Sequence, residues 1–569
     1  MDLCGKKQFT NTGSKHMHDS VGSHNSVGSS PLRSPVASPI TDMTLEEQIG
    51  QILMVGFHGL TPTPEIIDLI QNYHIGGVIL FSRNVQDTQQ VLHLTRTLQE
   101  IARAAGHRFP LLISIDQENG MVNRLGYGST VFPGNMALGA IGSEQVAHDV
   151  ALATGQELHA LGLNMNLAPV VDVNNNPANP VIGVRSFGED PQLVARLGAA
   201  MVKGYHEAGV ISCLKHFPGH GDTAVDSHLA LPIVPHAMQR LEAIELVPFK
   251  SGIAAGATAV MTAHVSFPAL TQRDDLPATL SPTVLTGLLR EKLGFEGVII
   301  TDCLEMNAIS KGVGIPRGSV MTLQAGADLV LISHIYEHQR AGFEAIRTSV
   351  KANELSPDIV RQAAERVLHL KERYLSWESL PDAHLPPLVG GAEHQQLRDR
   401  AYNLSTTLVK NEDALIPLHL APNERILVIT HKKDLFAQVQ DRGYADSYLP
   451  ECIRQYHQSL DTLAISDQPT AAERQRIQQA IAAADIILMA TMNANLDQQQ
   501  ATFMRDCLAS GKRVIGIGVG NPYDLLAFPQ LRTYLATYEY TVPAIDAAAR
   551  VLFGKVEPQG HLPVTLTTE

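Results

Sequence analysis

Residues 209–228 read GVISCLKHFPGHGDTAVDSH. A short β-branched run stops at Lys215 and His216, and Pro218-Gly219 ends regular structure before a loop carrying His220, Asp222, Asp226 and His228. An apolar run of this length bounded by turn residues reads as a buried strand. The design recurs along the chain. ILMVGFHG (52–59), GGVILFS (76–82), PLLISIDQE (110–118) and LNMNLAPVVDV (163–173) precede it. ATAVMTAHV (257–265), GVIITDCLEM (297–306) and ADLVLISHI (327–335) follow. Helix-like stretches at 87–106, 143–162, 191–209 and 281–294 lie between strands, the last with Ser281 as an expected N-cap before Pro282. Strands and helices in this alternation predict a (β/α)8 TIM-type barrel. A doubly wound open sheet is the alternative, but it usually has fewer strands and a Gly-rich first turn. Five of the runs end in polar residues: Asp116-Gln117-Glu118, Asp172, Lys215-His216, His264 and Asp302. In barrel enzymes that end of the strands is the catalytic rim.

Working outward, a helix at 357–375 closes the barrel, and the Pro- and Gly-containing stretch 379–392 reads as a linker. RILVITH (425–431), DIILMAT (485–491), RVIGIGVGNP (513–522) and TYLATYEYT (533–541) then predict a smaller three-layer α/β sandwich. The GIGVG run lacks the GxGxxG spacing of a dinucleotide cradle and reads as a tight strand-end turn. The expected plan is a disordered tail (1–42), a barrel domain (43–378), the linker (379–392) and the sandwich (393–569). The tail is rich in Ser, Gly, His and Pro, includes His16, His18 and His24, and has no apolar h-region.

Composition narrows the function classes. The 569 residues are 44% hydrophobic and 18% charged, a globular profile. A net charge of −14 argues against nucleic-acid binding, which needs clustered Lys and Arg. No apolar stretch is long enough to span a bilayer. Five cysteines, none in a CxxC pair, suggest reduced thiols and a cytoplasmic setting, or a secreted or surface-anchored one if a leader lies upstream.

The crowded loop admits three readings: metal site, proton-transfer machine or sugar clamp. His216 and His220 have the i, i+4 spacing of a helical zinc motif, but Pro218 and Gly219 stand between them. No metal or cofactor is expected. Asp226-Ser227-His228 instead suits a dyad, in which the carboxylate accepts from imidazole Nδ1 and leaves the other nitrogen to carry a proton. Asp302, at the end of its apolar run, is the candidate partner nucleophile.

KHFPGHGDTAVDSH closely resembles the signature of bacterial β-N-acetylglucosaminidases in glycoside hydrolase family 3. SIDQENGMVNRL (114–125), NPVIGVRSFGEDP (179–191), GVIITDCLEM and STTLVKNEDALIPL (405–418) resemble further segments of that family, in the expected order. The resemblance implies Asp302 as the nucleophile of a retaining mechanism and His228, assisted by Asp226, as general acid/base. It implies Asp116, Arg124, Arg185, Lys215 and His216 as ligands of the terminal sugar's hydroxyls. The implied substrate is a GlcNAc-terminated oligosaccharide or muropeptide, from chitin or cell-wall fragments. A phosphorylase using phosphate as acceptor, a β-glucosidase of the same family and a non-catalytic sugar-binding descendant are the alternatives. Two departures stand out. Met121 replaces an arginine common in the family, which questions one rim contact. Cys303 follows the nucleophile where acidic or small polar residues are usual, and a thiol there suggests sensitivity to oxidation.

Overall fold

The strands of the barrel are shorter than the apolar runs that announce them. They are β1 (Leu53–Val55), β2 (Gly77–Leu80), β3 (Leu112–Ile115), β4 (Met165–Asn166), β5 (Ile211–Phe217), β6 (Ala259–Thr262), β7 (Val298–Ile300) and β8 (Val330–Ile332). Neighbours pair in parallel in the order β8-β1-β2-β3-β4-β5-β6-β7. A parallel bridge between Ile300 and Leu329 closes the ring. This is the (β/α)8 barrel expected of the pattern. The computed structural model describes residues 40, 42–431, 448–466 and 469–566, so the tail expected over 1–42, with its histidines, lies almost wholly outside the described residues.

Inside the ring, alternate residues of the strands meet as one apolar plug that includes Met54, Ile79, Leu112, Met165, Ile211, Ala259, Val298 and Leu331. A packed interior forces function to the strand ends. Opposite faces of the strands carry Val55, Val78, Ile113 and Val330 into a second cluster beneath the surrounding helices. Thr88–Ala104, Glu144–Ala160 and Pro191–Glu207 are helical where the sequence predicts it, each capped by an Asp or Ser side chain (Asp87, Ser143, Asp190). The Thr283–Lys292 helix departs from the expectation in two ways. It is wound as a π-helix, and no side chain caps its start; Ser281 serves it through its backbone oxygen, which accepts from Leu285 N at 3.0 Å. The closing helix, Pro357–Tyr374, places Lys371 fully buried against Gln51 Oε1 at 2.7 Å, and burial brings that ammonium down to about 7. Among the described residues no helix is long and apolar enough to cross a membrane.

After residues without helix or strand, the helix Ala392–Ser405 leads into a six-stranded sheet. Its strands are β9 (Thr407–Asn411), β10 (Ile426–His431), β11 (Leu460–Ile465), β12 (Ile486–Thr491), β13 (Arg513–Gly518) and β14 (Thr533–Ala536). The order is β9-β14-β13-β12-β10-β11, with only β9 antiparallel. Two apolar clusters cover its two faces, giving the three-layer sandwich. The GIGVG run is mostly strand, not turn. A Cβ on Gly518 would lie 2.0 Å from Tyr534 Oη, and one on Gly516 2.8 Å from that ring, so these glycines make room for a buried tyrosine.

The sandwich and the barrel share side chains. Met121 belongs to one sandwich cluster, and Met136, Ala137 and Ala140 belong to the other. Glu539 Oε1 accepts from the Gly134 N–H at 2.9 Å, and its Oε2 lies 3.1 Å from Tyr402 Oη and 3.0 Å from Thr541 Oγ1. Asn174 Nδ2 donates to Tyr523 Oη at 3.2 Å, and Asn495 Nδ2 to the Pro177 oxygen at 3.0 Å. The loops after β3 and β4 are therefore held from both domains.

Candidate active site

A cavity of about 600 Å³ opens at the C-terminal ends of the strands. Asp116, Arg124, Arg185, Lys215, His216, His228 and Asp302 all line it; Lys215 and His216 come from β5 itself, the others from the segments after β3, β4, β5 and β7. Asp226 stands behind His228 and does not line the cavity.

One wall is a buried ionic cluster. Lys215 Nζ lies 2.6 Å from Asp116 Oδ1 and 2.7 Å from Glu118 Oε1. Arg185 grips Glu118 with two hydrogen bonds of 2.8 Å, Nε to Oε2 and Nη2 to Oε1. Burial opposes charge on Glu118, yet Arg185 and Lys215 hold its carboxyl well below the usual carboxylate range. Burial likewise opposes charge on Lys215, and Asp116 and Glu118 outweigh it, raising the ammonium above its ordinary value. Fixed charges with preset partners can present hydrogen bonds to a polyol without reorganising.

The opening loop has its own scaffold. Asp172, fully buried, accepts from His216 Nδ1 at 2.7 Å and from the backbone N–H of His220 at 2.7 Å. The Lys215–His216 and Phe217–Pro218 peptides are cis. His220 sits between Thr223 Oγ1 (3.0 Å) and Ser227 Oγ (2.9 Å), and burial, helped by His216, pushes it down to about 4. It is a neutral anchor for the residue preceding His228. His228 Nδ1 lies 2.7 Å from Asp226 Oδ1, the same oxygen that accepts the His228 N–H at 2.9 Å. A carboxylate can only accept there, so Nδ1 carries a hydrogen and Nε2 is left for proton transfer.

Asp302 faces the cavity beyond β7. Burial opposes its ionisation, but His264, His216 and His228 together keep its carboxyl below the ordinary value, so it is an anion. Its Oδ1 accepts from the Cys303 N–H at 2.7 Å. Beneath it, His264 Nε2 donates to the Cys303 carbonyl oxygen at 3.0 Å and fixes the peptide that follows Cys303. An ionised carboxylate and an imidazole with one free nitrogen in one cavity can perform nucleophilic displacement with acid/base assistance.

Several site residues escape the sequence reading. Glu118 and Asp172 end strand runs on the expected rim without a role of their own; the structure makes them the holders of Arg185, Lys215 and His216. Phe81, Arg83, Ser333 and His334 also line the cavity, from β2 and β8. The runs GGVILFS and ADLVLISHI contain or adjoin all four, and the polar tips Ser-Arg and Ser-His were the available signal. Met121 is buried among Ile416, Val428, Leu535 and Tyr540 and faces the sandwich, not the cavity, so the missing arginine opens no gap in the rim. The Cys303 thiol is buried and pushed up to about 12, which keeps it protonated and works against the expected sensitivity to oxidation.

Known proteins resemble this chain along most of its length. Residues 44–370 match the model of the glycosyl hydrolase family 3 N terminal domain, and 406–569 that of the family 3 C-terminal domain. Beta-hexosaminidase A of Pseudoalteromonas piscicida is 34% identical over 584 residues, covering 92% of this chain and 97% of that protein. The solved family 3 β-N-acetylglucosaminidase of Paenibacillus sp. str. FPU-7 is 42% identical with a TM-score of 0.87, covering 92% of this chain and 99% of that one. A fungal multi-domain family 3 β-N-acetylglucosaminidase is 43% identical with a TM-score of 0.87; the match covers 92% of this chain but 61% of the fungal one. With both family models matched in order across barrel and sandwich, the chain belongs to glycoside hydrolase family 3.

Proposed function

We propose that this glycoside hydrolase is a retaining, exo-acting β-N-acetylglucosaminidase that removes terminal GlcNAc from chitin oligosaccharides or cell-wall fragments. The observation that carries the reading is one cavity lined by both the ionised Asp302 and a His228 whose Nδ1 is held by Asp226. The names of its relatives point the same way.

The geometry supports a double-displacement sequence. Asp116, Arg124, Arg185, Lys215 and His216 orient the sugar by its hydroxyls. Asp302 attacks the anomeric carbon while His228 Nε2 gives its proton to the departing glycosidic oxygen, and a covalent glycosyl-enzyme forms. His228, now neutral, takes a proton from water, which attacks the same carbon and releases Asp302. Histidine in place of the usual second carboxyl suits this work at neutral pH, because imidazole titrates there without deep burial.

An aryl β-N-acetylglucosaminide tests the assignment. Asp302→Ala is expected to abolish turnover. His228→Ala is expected to lose less on this substrate, whose good leaving group needs little protonation, than on a GlcNAc disaccharide, where acid assistance is worth about 10²–10⁴-fold. Undiminished turnover in Asp302→Ala would sink the mechanism. Product analysis in phosphate buffer separates hydrolysis from phosphorolysis, with free GlcNAc expected as the main product.

A further inference from the structure

Immediately after Asp302 the chain reads Cys303-Leu304-Glu305, and His334 arrives beside it from the end of β8. A sulfur, a carboxylate oxygen and an imidazole nitrogen from Cys303, Glu305 and His334 lie within 4.8 Å of one another. Cys303 and His334 line the same cavity as Asp302. The Cys303 thiol already points at Glu305 Oε2, 3.6 Å away. A tetrahedral ion with bonds of about 2.0–2.3 Å keeps its ligand atoms roughly 3.5 Å apart, so sulfur and oxygen stand near the required spacing.

Glu305 is held for the purpose. Its Oε2 accepts from the His334 N–H at 2.6 Å; its Oε1 accepts from the Ile335 N–H at 3.0 Å and lies 2.9 Å from His338 Nδ1. Each carboxylate oxygen has two acceptor sites, so Oε2 retains one, directed toward Cys303. Ser333, fully buried between the strand end and His334, also lines the cavity and bonds the Cys303 thiol, holding that sulfur at the cavity wall. The neighbouring cation, Arg83, directs its guanidinium to the carbonyl oxygens of Phe57 (2.9 Å) and Ser333 (2.7 Å). No spacing in the chain links this group, because Cys303 and His334 meet only where β7 and β8 adjoin.

We propose that Cys303, Glu305 and His334 form an inhibitory cation site on the cavity wall, selective for a borderline-soft divalent ion such as Zn²⁺. Thiolate, carboxylate and imidazole are the donor set that zinc favours over magnesium or calcium, and three protein ligands leave the fourth position to water. On binding, the Cys303 S–H bond gives its proton to solvent and a sulfur–metal bond replaces it; the ion's charge overcomes the burial that otherwise keeps the thiol protonated. The thiolate and carboxylate balance the two positive charges. Occupation blocks turnover because the ion sits one residue from Asp302, where it draws on the carboxylate that must attack and occupies space in the sugar cavity. That last consequence rests on the function proposed above; the cation site itself does not.

Two readouts on the full chain, freed of metal by chelator and desalted, test the proposal. The first is Co²⁺ titration, in which a thiolate ligand adds a near-ultraviolet charge-transfer band. The band is expected in the parent, absent in Cys303→Ala, and to need at least tenfold more cobalt in His334→Ala. The second is zinc inhibition of aryl β-N-acetylglucosaminide hydrolysis, each variant scaled to its own zinc-free rate. Both substitutions are expected to raise the half-inhibitory zinc concentration at least tenfold, while magnesium inhibits none of the proteins. Absence of the band in the parent, or equal zinc sensitivity in parent and His334→Ala, would overturn the site. His334→Ala keeps the test intact should Cys303→Ala misfold. If the enzyme fails to turn over the substrate, the function fails, and the cobalt band still decides the site.

Discussion

Glu539→Gln probes the seam between the two domains. The Glu539 carboxyl is fully enclosed by Gly134 of the barrel and Tyr402 and Thr541 of the sandwich, and burial, against these hydrogen bonds, raises it from 4.5 to about 7. Between those values the native protein keeps a proton that the unfolded chain has released, so stability falls as pH rises through this window. The loss accumulates at about 1.4 kcal/mol per pH unit, or about 3 kcal/mol in total above pH 7. Glutamine reproduces the neutral acid: its carbonyl accepts from the Gly134 N–H, and its amide donates toward the two hydroxyls. Parent and variant should therefore unfold at nearly the same urea concentration at pH 5, and the variant at a clearly higher one at pH 8. Because a two-domain chain can unfold in more than one step, the readout is the pH dependence of the difference in midpoints, followed by circular dichroism. A difference that does not change with pH would refute the reasoning, as would a variant less stable than the parent at pH 8.

Glu118→Gln leaves Arg185 and Lys215 buried with one anionic partner fewer, and breaking such a pair is expected to cost about 3–5 kcal/mol in urea unfolding at neutral pH. The Glu118 carboxyl lies below its ordinary value when folded, so its stabilisation is fully present above about pH 5 and is lost as pH falls through the folded value; parent and variant should converge in strong acid. Gly518→Ala drives a methyl to 2.0 Å from Tyr534 Oη and should lower stability by about 1–3 kcal/mol, seen as a lower melting temperature with little change in KM if the sandwich is only locally strained.

The barrel was legible because each strand is an apolar run buried on both faces and bounded by turn residues. Apart from β5, which carries Lys215 and His216 within it, the observed strands end before the polar tips, since those residues turn out of the ladder to serve the cavity. β9 and β11 lack that signature. β9 is an antiparallel edge strand containing Lys410 and Asn411, and β11 pairs only with β10 and is largely exposed along its length, so neither carries a continuous apolar run. In the site, charged residues directly at strand ends stood out. Phe81 and His334 did not, because their neighbourhood exists only once β8 closes against β1, far away in sequence. Glu118 and Asp172 touch no open side of the cavity, and their importance lies in partners that no spacing rule connects to them.

Met121, Met136 and Ala137 lie on the barrel's own chain yet complete the sandwich's apolar interior. The far side of the segment that carries Arg124 is thus upholstered by another domain, and the segment leading to Arg185 is pinned there through Asn174 and Pro177. The sandwich acts as the back plate of a vice whose front jaw is the cavity lined by Asp302 and His228. Without the sandwich, Arg124 and Arg185 would stand on unbacked loops, and Met121 and Met136 would lose the apolar neighbours that cover them.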